Sequence, residues 1–419
     1  MVPSARHYTA KFYQISYYNP RTTKFALGWD DIFFVFYWII VFTGMRAFVM
    51  THILTPVAAS LGISKKKAKT RFAEQAWILL YYGAFWSTGM YIMYNSDYWL
   101  NLRGLWKNWP IREMDGLAKW YYLVQFAFWL QQIVVVNIEE RRKDHWQMFT
   151  HHIITCTLVF TSYGYHQTRV GTLLLCLLDI VDILFPLAKI MKYLGLKTLC
   201  DITFGVFMVT YFVTRHIIYM WTCWSIYKHI PEEIQYGCYK GGDENLQGPF
   251  PVPNDWSHLT KPFRDPVGLV CWNNNIKWGF LVMLLALQVV LLIWFIMILK
   301  VAYKVITGEG AEDTRSDDED DDEEEEEDEL AKTELLKKTP AKAEALPFIE
   351  KMVVSTDTNE ARNFSKHVPK RTPHAEPSPV RRSTRRKNER GGHSSSVNLL
   401  QERKELLGRI GCDKSVTVP

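Results

Sequence analysis

No tryptophan or tyrosine occurs after residue 308 of this 419-residue chain, although it holds 16 of the first and 21 of the second. Past that point stand only two aromatics, Phe348 and Phe364. A segment so poor in large apolar groups cannot bury enough surface to offset its chain entropy, so residues 308–419 are expected to form a disordered tail. The seven cysteines include no CxxC pair and no zinc-ligand spacing, which excludes the small zinc modules and dithiol redox motifs. No two histidines lie four residues apart, so the repeated ligands of a membrane di-iron oxidase are missing. The first apolar run starts too far in, and lacks the small-residue cleavage site, for a removable leader. Basic residues are not gathered on a polar face but fall at the ends of apolar runs, which disfavours nucleic acid as a partner.

What is present is apolar length. Seven stretches approach or exceed the roughly 20 residues that cross a hydrocarbon layer of about 30 Å. They run from Ile32 to Ile53, Ala76 to Tyr94, Trp120 to Ile138, Met148 to Tyr165, Val170 to Ile190, Ile202 to Ile226 and Trp278 to Val301. Backbone polar groups in lipid must be paired within the segment, so each is expected to be a helix. The second and fourth are short or interrupted by Gly and His. The expected fold class is all-α: a polytopic membrane protein with an N-terminal segment (1–30), a seven-span domain (31–307) and the tail (308–419).

Loop charge sets the orientation. Residues 1–308 carry 29 basic and 18 acidic side chains, the rest 20 and 26. Every second loop is basic: Lys65, Lys66, Lys67, Lys69 and Arg71; then Arg141, Arg142 and Lys143; then Lys192 and Lys197; then Lys300 and Lys304. The positive-inside rule places these in the cytosol, with the N-terminus outside and the C-terminus inside. Cys238 and Cys271 then share a long lumenal loop, where pairing and free thiols both stay open. The tail opens with 13 consecutive acids, Asp317 to Glu329, beside Ser316, and later holds a basic cluster from Arg381 to Lys387. Solvated spacers, an acid-directed phosphorylation site and contact with anionic lipid all fit these runs. The sequon Asn363-Phe364-Ser365 falls on the cytosolic side and is expected to stay unmodified.

Ionisable groups inside spans are costly and point to function. The fourth run opens with His151-His152, the fifth holds Asp179 and Asp182, the sixth holds Arg215-His216, and the first holds Arg46. The short connection between runs four and five makes them antiparallel neighbours. An i, i+3 spacing puts the two aspartates on one helix face. Two imidazoles and two carboxylates are therefore expected to meet in the cytosolic half of the bundle. Such a set suits acyl transfer, with imidazole as base or nucleophile and carboxylate fixing its tautomer. Adjacent histidines diverge by about 100° on a helix and do not readily share one ion, so no metal is expected.

These residues carry a resemblance. His151-His152-Ile153-Ile154-Thr155, Arg169-Val170-Gly171-Thr172 and Asp179-Ile180-Val181-Asp182 closely resemble the longevity-assurance motif of ceramide synthases. Arg142-Lys143-Asp144, followed seven residues later by the His pair, matches the family too; Tyr91-Ile92-Met93-Tyr94-Asn95-Ser96-Asp97 is similar to fungal members, and Arg215-His216 sits where they have a similar pair. The resemblance spans about Trp29 to Lys304 and implies a TLC-type bundle in the endoplasmic reticulum. It implies transfer of a fatty acyl group from acyl-CoA, the co-substrate, to the amine of a sphingoid base, with no further cofactor. His151, His152, Asp179 and Asp182 would be catalytic. Arg215 and His216 would bind substrate; Arg141, Arg142 and Lys143 suit CoA phosphates and serve equally as positive-inside anchors. Some fungal relatives work with a small single-span partner and as dimers, and membrane lipids surround them all. Some fungal relatives have an extra span before the first run; about 28 residues stand there in this sequence, so that span is either lost or lies upstream of this start, and the homeobox-like segment of many animal relatives is replaced by a short basic loop. The alternative within the family is a non-enzymatic lipid sensor or translocation-associated protein; an elongase is disfavoured because its HxxHH would need His where Met148 stands.

Overall fold

The computed structural model describes residues 3–139, 144–242, 245–265 and 268–307. The tail, with its acidic and basic runs and its sequon, lies outside the described residues, as do Arg141, Arg142 and Lys143.

After α1 (Pro3–Tyr13), seven helices of at least 20 residues follow in the described part. They are α2 (Asp31–Ser60), α3 (Lys66–Tyr94), α4 (Gly116–Ile138), α5 (His145–Gly164), α6 (Thr168–Tyr193), α7 (Lys197–Lys228) and α9 (Asn274–Thr307), with the short amphipathic α8 (Ser257–Arg264) before the last. Five of them, α2, α4, α6, α7 and α9, are long and apolar enough to cross a membrane. The remaining two, α3 and α5, match the expected runs that Gly and His interrupt.

Burial separates axis from periphery. In α4, 56% of the most apolar window is inside the protein, against 17% in α2 and 22% in α7. Tyr121, Tyr122, Val124, Gln125, Ala127 and Phe128 are at most 1% exposed, so α4 is the most enclosed of these five helices. By contrast α2 turns Phe36, Ile40 and Phe48 outward, the pattern of a lipid-facing helix. Close approaches rest on glycine: a Cβ on Gly89 of α3 would lie 2.3 Å from Cys176 Sγ of α6.

Two small antiparallel sheets lie at one end. The first pairs β1 (Tyr18–Asn19), β2 (Lys24–Ala26) and β3 (Glu113–Met114); the second pairs β5 (Gln247–Phe250), β4 (Gly237–Lys240) and β6 (Val270–Trp272). Cys238 and Cys271 are register partners across β4 and β6 and form a disulfide. Arg112 ties the ends together. Its Nη2 donates to the carbonyls of Tyr239 and Gly268, at 3.1 and 2.9 Å. Trp109 Nε1 donates to Tyr165 O at 2.9 Å.

Candidate active site

The opposite half of the bundle encloses a cavity of about 210 Å³. His151, His152, Asp182 and Arg215 all line it, with Trp129 of α4 and Trp294 of α9. Two helical irregularities frame this place. Pro186 of α6 has no N–H to give the carbonyl four residues back, which is that of Asp182. Facing it, α7 widens into a π-turn over Val213–Ile218, which carries Arg215. A proline and a π-turn are the usual ways a long helix departs from regularity near a functional group.

Arg215 is buried and bound to α6. Its Nη2 donates to both Asp182 oxygens at 3.2 Å and to Leu178 O at 3.0 Å. The guanidinium also lies 4.9 Å from the Tyr211 ring centre. Asp182 is thus matched by a cation and still lines the cavity.

The imidazoles are held differently. His152 Nδ1 is 2.6 Å from the carbonyl of Met148, one turn back on α5. A carbonyl only accepts, so Nδ1 carries the proton and Nε2 keeps its lone pair. The His151 ring stands 5.6 Å from Trp129 and 5.2 Å from Trp294, and its buried Nδ1 has no hydrogen-bond partner. Among the described residues neither imidazole hydrogen-bonds to a carboxylate. The expectation that the aspartates fix the imidazole tautomer is therefore corrected: a backbone carbonyl does so at His152, and Asp182 is taken up by Arg215.

Asp179 is also placed differently from the expectation. It does not line the cavity; it is fully buried beside α4, where Gln125 Nε2 donates to its Oδ2 at 2.8 Å. Gln125 in turn accepts from Tyr81 Oη at 2.6 Å. Asp179 and Asp182 sit on one side of α6, yet a separation of three residues leaves about 60° between them, enough for one to meet α4 and the other the cavity. His216 points away as well: its Nδ1 meets the Gln288 amide at 2.7 Å, and its ring packs on Phe295. Arg46 reaches across from α2 to pair with Glu139, which lines the cavity mouth.

Sequence reasoning missed Trp129, Trp294, Asp144 and Glu139. The two tryptophans look like ordinary apolar span residues, and only packing brings them to His151. Asp144 stood inside a noted motif without a role.

The family model described as the TLC domain matches residues 71–300. A sphingosine N-acyltransferase-like protein of Alternaria alternata is 50% identical over 306 residues, 72% of this chain and 71% of that protein. A ceramide synthase of Gibberella moniliformis is 46% identical over 316 residues, covering 75% and 74%. A sphingosine N-acyltransferase of Schizosaccharomyces pombe is 39% identical over 315 residues, covering 75% and 74%.

Proposed function

The chain belongs to the TLC-domain family, and on that premise we propose that it is a ceramide synthase, transferring a fatty acyl group from acyl-CoA to the amine of a sphingoid base. One observation carries the reading within the molecule: two adjacent histidines, one with its tautomer fixed, share a buried cavity with an Arg–Asp pair.

Amide formation joins the amine nitrogen to the thioester carbonyl carbon and breaks the C–S bond. The thiol leaves with one proton, and the second proton of the arriving ammonium goes to water. His152 Nε2 is the base that takes a proton from the amine. His151, with its unpaired Nδ1 between two tryptophans, faces the acyl carbon. Arg215, oriented by Asp182, supplies positive charge beside the developing oxyanion. Asp179, through Gln125, sets the rotation of α6 rather than touching substrate. Arg141, Arg142 and Lys143 belong to the same reading as CoA contacts.

The seven long helices cross the endoplasmic reticulum membrane, with the C-terminal tail in the cytosol. Acyl-CoA then reaches the cavity from the cytosol. Association with a second copy or a small single-span subunit belongs to this reading, and the outward faces of α2 and α7 leave room for it.

The test is expression of the full chain in cells lacking ceramide synthase. Washed membranes given acyl-CoA and dihydrosphingosine or phytosphingosine are expected to form ceramide, read by mass spectrometry. His151→Ala and His152→Ala, at normal expression, are each expected to reduce it at least 100-fold. Full activity in either variant defeats the assignment of that histidine, and a silent wild type defeats the function.

A further inference from the structure

The cavity mouth holds a carboxylate, Asp144, that pairs with no cation among the described residues. Asp144 precedes α5 but makes no side-chain cap to it. It is 2% exposed, lines the cavity, and its Oδ1 has no hydrogen-bond partner. Its acidic neighbour Glu139 also lines the mouth but is matched by Arg46. The buried cation of the cavity, Arg215, is committed to Asp182 and Leu178 O. A buried carboxylate oxygen left without a hydrogen-bond partner among the described residues is costly to keep, so its place at a cavity wall points to a partner that arrives with the substrate.

The two co-substrates differ in charge. Acyl-CoA is a polyanion, repelled by such a group. A long-chain amine reaches the membrane as an ammonium, a small cation with donors only. Asp144, Met148, His151 and His152 line one stripe of α5, with the carboxylate about two turns, on the order of 11 Å, before the histidines.

We propose that Asp144 is the substrate-binding residue that receives the ammonium head of the amine co-substrate at the cavity mouth and excludes CoA phosphates from that position. The inference rests on the N-acyltransferase reading and assigns the amine its entry point. The captured head then passes along the stripe to His152, where it loses its proton.

The experiment measures KM for sphingoid base and for acyl-CoA separately, in membranes containing the full chain. Asp144→Asn keeps the size and removes the charge. KM for the base is expected to rise about tenfold or more, with KM for acyl-CoA and kcat changing less than about threefold. Asp144→Glu is expected to recover part of that loss. An unchanged KM for the base, or an equal rise for both substrates, overturns the proposal. A second readout is independent of how much variant folds: the ratio of inhibition by a long-chain alkylamine to that by the alkanol of equal length. Wild type is expected to favour the amine by about tenfold and Asp144→Asn to lose most of that preference; an unchanged ratio overturns the proposal. The wild-type arm separates the two possible failures. No amide from sphingoid base defeats the functional reading and this inference together, whereas normal N-acylation indifferent to Asp144→Asn defeats the inference alone.

Discussion

A guanidinium inside an apolar bundle has to be matched by acceptors, and Arg215 Nη2 finds three on α6: one backbone carbonyl and two carboxylate oxygens. A planar fork can serve them together, whereas the ammonium of lysine is a single point on a flexible stem. Arg215→Lys is therefore expected to keep the charge but lower kcat about tenfold or more, with the expressed amount near wild type. Unchanged turnover in washed membranes would show that the pair only holds helices together. At this scale the sequence was partly transparent. His151-His152 and Asp179-x-x-Asp182 stand out because ionisable groups in apolar runs are rare. Which aspartate meets the cavity was not legible, because it depends on the rotation of α6. Gln125 of α4, a residue with no motif around it, holds Asp179 from across the interface.

Among elements, the long runs were legible and the extramembrane cap was not. Apolar length marks a helix without any knowledge of its neighbours, but the two small sheets depend on strands of two to four residues paired across long separations. The disulfide was open from sequence and is set by register: Cys238 faces Cys271 only because β4 pairs with β6. One cap residue makes a prediction. His166, in the turn between α5 and α6, has φ 55° and is buried beside Arg112, whose Nη1 lies 3.3 Å from Nε2. Burial, helped by the Arg112 charge, pulls this imidazole down to about 3. The unfolded chain takes up that proton below about pH 6.5, whereas the folded cap refuses it. Between these values the unfolded state binds more protons, so stability falls as pH falls, by up to about 1.4 kcal/mol per pH unit from this one group. His166→Asn tolerates the positive φ and does not titrate. Its thermal transition in detergent is expected to drop less than that of wild type between pH 7 and pH 5; parallel drops would contradict the account.

For the whole molecule the question is how many helices cross the membrane. Mean hydropathy selects five, and it passes over α3 and α5 for a physical reason. Both turn polar groups inward, Gln75 and Tyr81 from α3 and His151 and His152 from α5, and an average taken around a helix counts those as if they faced lipid. Their reach argues for crossing: at 1.5 Å per residue the 20 residues of α5 span about 30 Å, the thickness of the hydrocarbon layer. Their far ends also share one level. The strap after α3 binds the end of α5 through Trp109 and the disulfide sheet through Arg112. The proposed seven crossings would put that sheet in the lumen and the tail in the cytosol, and glycosylation tests this directly. Gln247→Thr turns Asn245-Leu246-Gln247, exposed beside β5, into an acceptor site. The expected result is a glycan removable by endoglycosidase on the Gln247→Thr protein and none on wild type, whose sequon at Asn363 follows the last helix. A glycan at Asn363, or an unmodified Asn245 in a folded, active variant, would invert the orientation. The cavity mouth would then open to the lumen, away from cytosolic acyl-CoA, and the catalytic geometry would have lost its substrate.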